Sequence, residues 1–126
     1  MVIGIGIDIV AVAEVESSIE TYGNRYLERI FTAREVEYCS DAANAAQRYA
    51  ARVAAKEAAM KAFGTGWESG VDWLNFEVVN DQSGRPSLVF TGAAAELATK
   101  LGVNATWVSL AHLPTYAVAE VVLERI

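Results

Sequence analysis

The chain has 126 residues, 53% of them hydrophobic and 21% charged, and a formal net charge of −6. That balance predicts one ordered globular domain over residues 1–126, and the negative charge argues against a general nucleic-acid binder. No apolar run approaches the ~18 residues a membrane helix needs, and a single cysteine, Cys39, excludes an internal disulfide framework and cysteine-based zinc sites, so a cytoplasmic location is the expectation.

The first residues, MVIGIGIDIV, carry Asp8 and lack a basic leader, so they read as a strand rather than a signal peptide. Over residues 2–10, Ile3, Ile5, Ile7 and Ile9 point one way and Val2, Gly4, Gly6 and Asp8 the other. The isoleucine side is the expected core face. The glycine side leaves room for another backbone or a ligand. Asp8 at the end of that open side is either satisfied by nearby amides or meets a carboxylate from elsewhere. Residues 11–22 predict a helix with Val12, Val15, Ile19 and Tyr22 on one side and Glu14, Glu16 and Glu20 on the other. Tyr26 to Phe31 predicts one or two further turns. Thr32 and Glu35 form a capping box that opens a helix to about Ser40.

A polar run, 41–47, leads into RYAARVAAKEAAMKAFGTG, residues 48–66. It is rich in helix formers and stops at Gly64. Arg48, Arg52 and Lys56 share one stripe at i, i+4, i+8, and Glu57 and Lys61 lie one turn apart on another face. A carboxylate and an ammonium together, with a basic stripe beside them, suit metal-assisted phosphate chemistry. The plainer reading is that Lys56, Glu57 and Lys61 are helix-surface ion pairs. If this helix packs across the glycines, Glu57 meets Asp8, and two carboxylates in contact imply a divalent metal or a shared proton. Seven of the ten basic residues fall between positions 25 and 61. A locally positive zone on an acidic chain suggests a specific anionic partner.

The Gly64-Thr65-Gly66 turn lets backbone approach a ligand closely. Trp67 reads as a core anchor or as an aromatic over a ligand. Residues 73–79 predict a strand, 80–84 a turn, and SLVF after Arg85-Pro86 a second strand. A helix follows between Gly92 and Gly102, then strands at 106–112 and 116–123. The expected class is α+β: a small, mainly antiparallel sheet against the long alanine-rich helix. His112, the lone histidine, stands at a strand end three residues after Ser109. There is no GxSxG elbow, and the GTG turn is followed by tryptophan rather than the lysine of a Walker A loop.

Five blocks resemble the holo-[acyl-carrier-protein] synthase family of small phosphopantetheinyl transferases: GIGIDIV at 4–10, RIFTAREVEY at 29–38, RVAAKEAAMKAFGTG at 52–66, NDQSGRP at 80–86, and VSLAH with YAVA across 108–119. The resemblance spans nearly the whole chain and implies the phosphopantetheinyl transferase fold. It also implies transfer of the phosphopantetheine arm of coenzyme A to a serine of an apo acyl carrier protein, with Mg2+, in a homotrimer. It places the metal carboxylates on Asp8 and Glu57 and phosphate stabilisation on Lys61; Glu57 or a metal-bound water it orients is the base. Coenzyme contacts fall on Ser109, His112, Gly64, Thr65, Gly66, Arg85 and Pro86, with Arg48 and Arg52 as candidates for its phosphates. Two departures stand out. The first helix carries Glu14, Glu16 and Glu20 where the family has basic residues for an acidic carrier, and Leu113 follows the histidine where a hydroxyl residue is common. Either Arg25, Arg29 and Arg34 take over the docking or the carrier is not the usual strongly acidic one; the alternative function is an oligomer that binds coenzyme A and has lost its carrier.

Overall fold

The computed structural model describes residues 1–66 and 69–126; the reading of Trp67 falls outside them. Strand β1 (Val2–Ala11) runs into helices α1 (Val12–Tyr22), α2 (Asn24–Ile30), α3 (Ala33–Ser40) and α4 (Ala45–Phe63). Strands β2 (Phe76–Asn80) and β3 (Pro86–Phe90), helix α5 (Gly92–Leu101), and strands β4 (Ala105–His112) and β5 (Tyr116–Glu124) complete the chain. The fold is α+β. Its strands form two antiparallel sheets, one ordered β1-β5-β4 and the other the β2-β3 hairpin.

Local chemistry accounts for most boundaries. The Thr32–Glu35 capping box is present: Thr32 Oγ1 accepts from the Glu35 amide at 3.3 Å, and Glu35 Oε1 accepts from the Thr32 amide at 2.9 Å. Helix α4 ends at Gly64 in the left-handed conformation, φ 72°. The hairpin turn is organised by Asp81, whose Oδ1 accepts from the Ser83 and Arg85 amides, each at 2.9 Å. Residues 73–75 differ from the strand expected there. Asp72 and Asn75 cap each other across a 3₁₀ turn, Trp73–Asn75, and β2 starts only at Phe76.

The core is built on α4, where Ala54, Ala55, Ala58 and Ala59 are fully buried. Small side chains let the helix approach β1, and Gly4 and Gly6 remove the side chains that would block it. This inverts the expected orientation of β1. The glycine side faces the core, and Ile5, Ile7 and Ile9 are 61%, 59% and 64% exposed. In the sheet register Ile5 lies beside Val122 and Trp107, and Ile9 beside Val118 and Ala111, so the outer side of the three-stranded sheet is largely apolar. The alternation of β1 was right; the side assigned to the core was not.

Lys56 departs from the reading that places it on the helix surface. It is fully buried, with Nζ donating to Glu35 Oε1 at 2.8 Å, to the Trp73 carbonyl at 3.1 Å and to the Phe76 carbonyl. Glu35 Oε2 accepts from the Val78 amide at 3.0 Å, so one buried ion pair ties α3 and α4 to β2. Breaking such a pair from one side costs about 3–5 kcal/mol, because the remaining charge stays buried without a partner. Lys56 is therefore a structural residue, and the reading of it as a helix-surface ion pair does not hold.

Candidate active site

Helical geometry separates the polar residues of α4. At about 100° per residue, Glu57 and Lys61 stand roughly 140° and 180° around the helix from Arg52. They occupy opposite flanks, not adjacent stripes, and each flank meets a different edge strand of the sheet.

On the β1 flank, Lys61 Nζ donates to Asp8 Oδ1 at 2.8 Å and to the Ile7 carbonyl at 3.1 Å. Asp8 is held there because it lies on the glycine side of β1, facing the helix. Its side chain is 11% exposed, and its Oδ2 is buried and accepts no hydrogen bond. Glu57 is drawn into the same group. Burial, and then the hydrogen bond and charge of Asp8, push its pKa up to about 7, with Lys61 opposing. Asp8 raises the pKa of the exposed Lys61 ammonium, first by hydrogen bonding and then by charge, so Lys61 stays charged. Glu57 borders a cavity of about 480 Å3 with Glu14, Ser18, Tyr26, Val53 and Tyr116.

A buried oxygen without a donor, beside a second carboxylate whose ionisation is opposed, is a donor set that a divalent cation satisfies. Among the described residues no cluster of three or more His, Cys, Asp or Glu side chains is present. Asp8 and Glu57 would thus supply two ligands and leave the rest to water and substrate oxygens, as suits Mg2+.

On the β4 flank, Arg48, Arg52, Arg85, Pro86, Ser109 and His112 border one cavity of about 440 Å3. Arg52 is 2% exposed; its Nη2 donates to Asn80 Oδ1 at 2.5 Å, and its Nε is buried without a partner. Both guanidinium groups lie over the Tyr38 ring, at 4.8 Å for Arg48 and 4.5 Å for Arg52. His112 Nδ1 pairs with Gln47 Oε1 at 2.8 Å, which orients the imidazole. Ser109 borders the cavity, but strand alternation puts its side chain on the outer side of the sheet, opposite to His112. Three guanidinium groups around a concave surface suit a polyanion such as a phosphorylated nucleotide. Gly64, Thr65 and Gly66 follow the end of α4 and border neither cavity.

Tyr38, Gln47 and Asn80 escaped the sequence reading. Gln47 immediately precedes Arg48, which is a weak signal. Asn80 reaches Arg52 from 28 residues away, a pairing no local pattern reports.

A third cavity, of about 570 Å3, lies between α1 and α2 and is bordered by Ser18, Tyr22, Arg25, Tyr26, Arg29 and Trp73. Arg34 stands apart from it, 3.8 Å from Glu77.

The profile of the 4'-phosphopantetheinyl transferase superfamily matches residues 4–120. The chain is 52% identical to a holo-[acyl-carrier-protein] synthase of Koribacter versatilis (strain Ellin345) over 98% of its own length and 99% of that protein. It is 47% identical to one of Solibacter usitatus (strain Ellin6076), over 99% and 100%. Among solved structures it superposes on the holo-[acyl-carrier-protein] synthase of Neisseria meningitidis with a TM-score of 0.89 at 30% identity, covering 99% of this chain and 100% of that one. The TM-score is 0.82 at 34% identity for the Bacillus anthracis str. Ames synthase in complex with CoA (3',5'-ADP), covering 100% and 99%.

Proposed function

Because this chain belongs to the 4'-phosphopantetheinyl transferase superfamily, we infer that its two side-chain clusters are the two halves of one phosphopantetheinyl transfer site. The chain transfers the phosphopantetheine arm of coenzyme A to a serine of an apo acyl carrier protein and releases adenosine 3',5'-bisphosphate; this is holo-[acyl-carrier-protein] synthase activity. The observation that carries the division of labour is the meeting of Asp8, Glu57 and Lys61 on one flank of α4, with an arginine-rich cavity on the other.

Asp8 and Glu57 would hold Mg2+, which when bound neutralises charge on the pyrophosphate. Lys61, fixed by Asp8 and exposed on its far side, donates to phosphate oxygens as charge moves to the leaving group. Glu57, bordering the cavity beside Lys61 and Asp8, accepts the proton of the carrier serine. Arg48, Arg52, Arg85 and His112 bind the nucleotide phosphates. The Gly64-Thr65-Gly66 turn remains the assigned neighbour of the coenzyme on sequence grounds.

The exposed apolar side of the three-stranded sheet supports a homotrimer. In that assembly the metal flank of one subunit faces the arginine cavity of the next, and coenzyme A lies across the boundary. Among the described residues no helix is long and apolar enough to cross a membrane, and the reading places the enzyme in the cytoplasm, serving fatty acid biosynthesis. The carrier docks at the α1–α2 cavity through Arg25 and Arg29, with the exposed Arg34 nearby in sequence. The glutamates of α1 select a carrier less acidic than usual.

The test is the intact mass of an apo carrier protein after incubation with this protein, coenzyme A and magnesium. A gain of one phosphopantetheine that disappears with chelator is expected; no gain on any carrier overturns the reading in favour of a coenzyme A-binding oligomer. The shared site has its own test, since Glu57→Gln and His112→Ala damage different halves. Each variant alone is inactive or nearly so. Co-expression should restore up to about a quarter of wild-type turnover, the share of boundaries in a randomly mixed cyclic trimer where both halves are intact. Absence of any recovery would place both halves in a single subunit.

A further inference from the structure

Ser18 and Tyr26 border both the α1–α2 cavity that holds Arg25 and Arg29 and the cavity that holds Glu57. A segment docked at the arginines therefore reaches Glu57 past the Tyr26 ring. That ring is fixed in place. It meets Phe31 edge-on, with centroids 6.1 Å apart at 68°, and Phe31 in turn lies 4.7 Å from the Tyr49 ring. No described residue hydrogen-bonds to the Tyr26 hydroxyl. A phenol is protonated at neutral pH, so this hydroxyl is an available donor. A half-buried, rigidly mounted phenol with an unused donor, bordering the same cavity as the general base, is arranged to hold something placed between them.

Resting on the transfer reaction above, we propose that Tyr26 is a further substrate-touching residue, whose phenolic O–H donates to the carrier serine oxygen while Glu57 faces the serine proton. One serine lone pair is engaged by Tyr26 and another is left for phosphorus. As the serine oxygen–phosphorus bond forms, the bond from that phosphorus to the departing bisphosphate oxygen breaks. The electron pair leaves with the adenosine 3',5'-bisphosphate, and the serine proton passes to Glu57. Tyr26 orients and keeps its own proton throughout.

The experiment compares Tyr26→Phe with wild type on the apo carrier, with kcat and carrier KM measured separately and coenzyme A affinity measured by calorimetry. The variant keeps the ring and its contact with Phe31. We expect kcat to fall about tenfold, the effect of one lost orienting hydrogen bond, with carrier KM and coenzyme A affinity unchanged. Unchanged kcat, or a loss confined to carrier KM, overturns the proposal. So does a fall of more than about 4 °C in melting temperature, because the hydroxyl would then be a structural partner. Absence of transfer by the wild-type protein on every carrier overturns the parent reading instead, so the two failures are distinguishable.

Discussion

Glu57→Gln is expected to lower phosphopantetheine transfer about a thousandfold or more, and also to make the protein more heat-stable at alkaline pH. The loss of rate follows from removing the proton acceptor and one of the two carboxylates that fit a cation. The gain in stability follows from linkage. Burial first, and then Asp8, raise the folded-state pKa of Glu57 from 4.5 to about 7. The folded protein therefore holds this proton more tightly than the unfolded chain does. The resulting stabilisation is full below pH 4.5 and lost as the pH rises through about 7. Above that range the ionised Glu57 faces Asp8 at a net cost that glutamine does not incur. Melting curves should show the variant above wild type at about pH 8 and level with it below about pH 5. Magnesium should raise the wild-type curve and leave the variant's in place, since a ligand stabilises only the state that binds it. A variant no more stable than wild type at alkaline pH would show that Glu57 is not under the strain described here, whatever its rate.

Gly6→Ala is expected to destabilise the fold by about 3 kcal/mol or more. A Cβ there would overlap the Ala58 carbonyl oxygen and come within 2.8 Å of the Ala62 amide nitrogen. Both are backbone atoms of α4, so no side chain can swing aside. The helix itself would have to lift from β1, and α4 is the element around which the buried alanines, the Lys56 ion pair and both candidate half-sites are arranged. Overpacking in a core costs typically 1–3 kcal/mol, and about the upper end or beyond is expected here, out of a total stability of about 5–15 kcal/mol. Gly64→Ala is the useful contrast. Gly64 has φ 72° with nothing near its missing side chain, so that substitution carries only the left-handed backbone penalty, about 1 kcal/mol. Circular dichroism and denaturant titration of the two variants separate packing from backbone strain. A soluble Gly6→Ala protein with near-wild-type stability would contradict the close approach of α4 to β1.

Residues near one another in sequence were legible without a fold. Thr32 and Glu35 announce a helix start because the two reciprocal bonds need only a three-residue spacing. Gly64 and Gly102 announce helix ends, and Asp81 to Arg85 announces a turn, for equally local reasons. The five family blocks lie at the right separations, so the α+β class and the transfer reaction were within reach of the chain alone. The meeting of Asp8 with Glu57 could be stated only as a condition, that the long helix packs across the glycines of β1.

Tertiary structure decided the rest. Alternation divides β1 into two sets of side chains and is silent about which set a partner element covers. Hydrophobicity pointed to the isoleucines, whereas α4 covers the glycines because only there can two backbones come so close. Spacing placed Lys56 with Arg52, but Glu35 and two carbonyls from the segment before β2 and its first residue enclose it. Residues 73–75 look like strand by composition, and the reciprocal Asp72–Asn75 bonds turn them into a 3₁₀ segment. The Gln47–His112 and Arg52–Asn80 bonds join residues 65 and 28 positions apart. Burial and long-range partnership are properties of surfaces brought together by the whole chain, so a pattern that repeats every two or four residues determines which side chains share a face and leaves open what that face will meet.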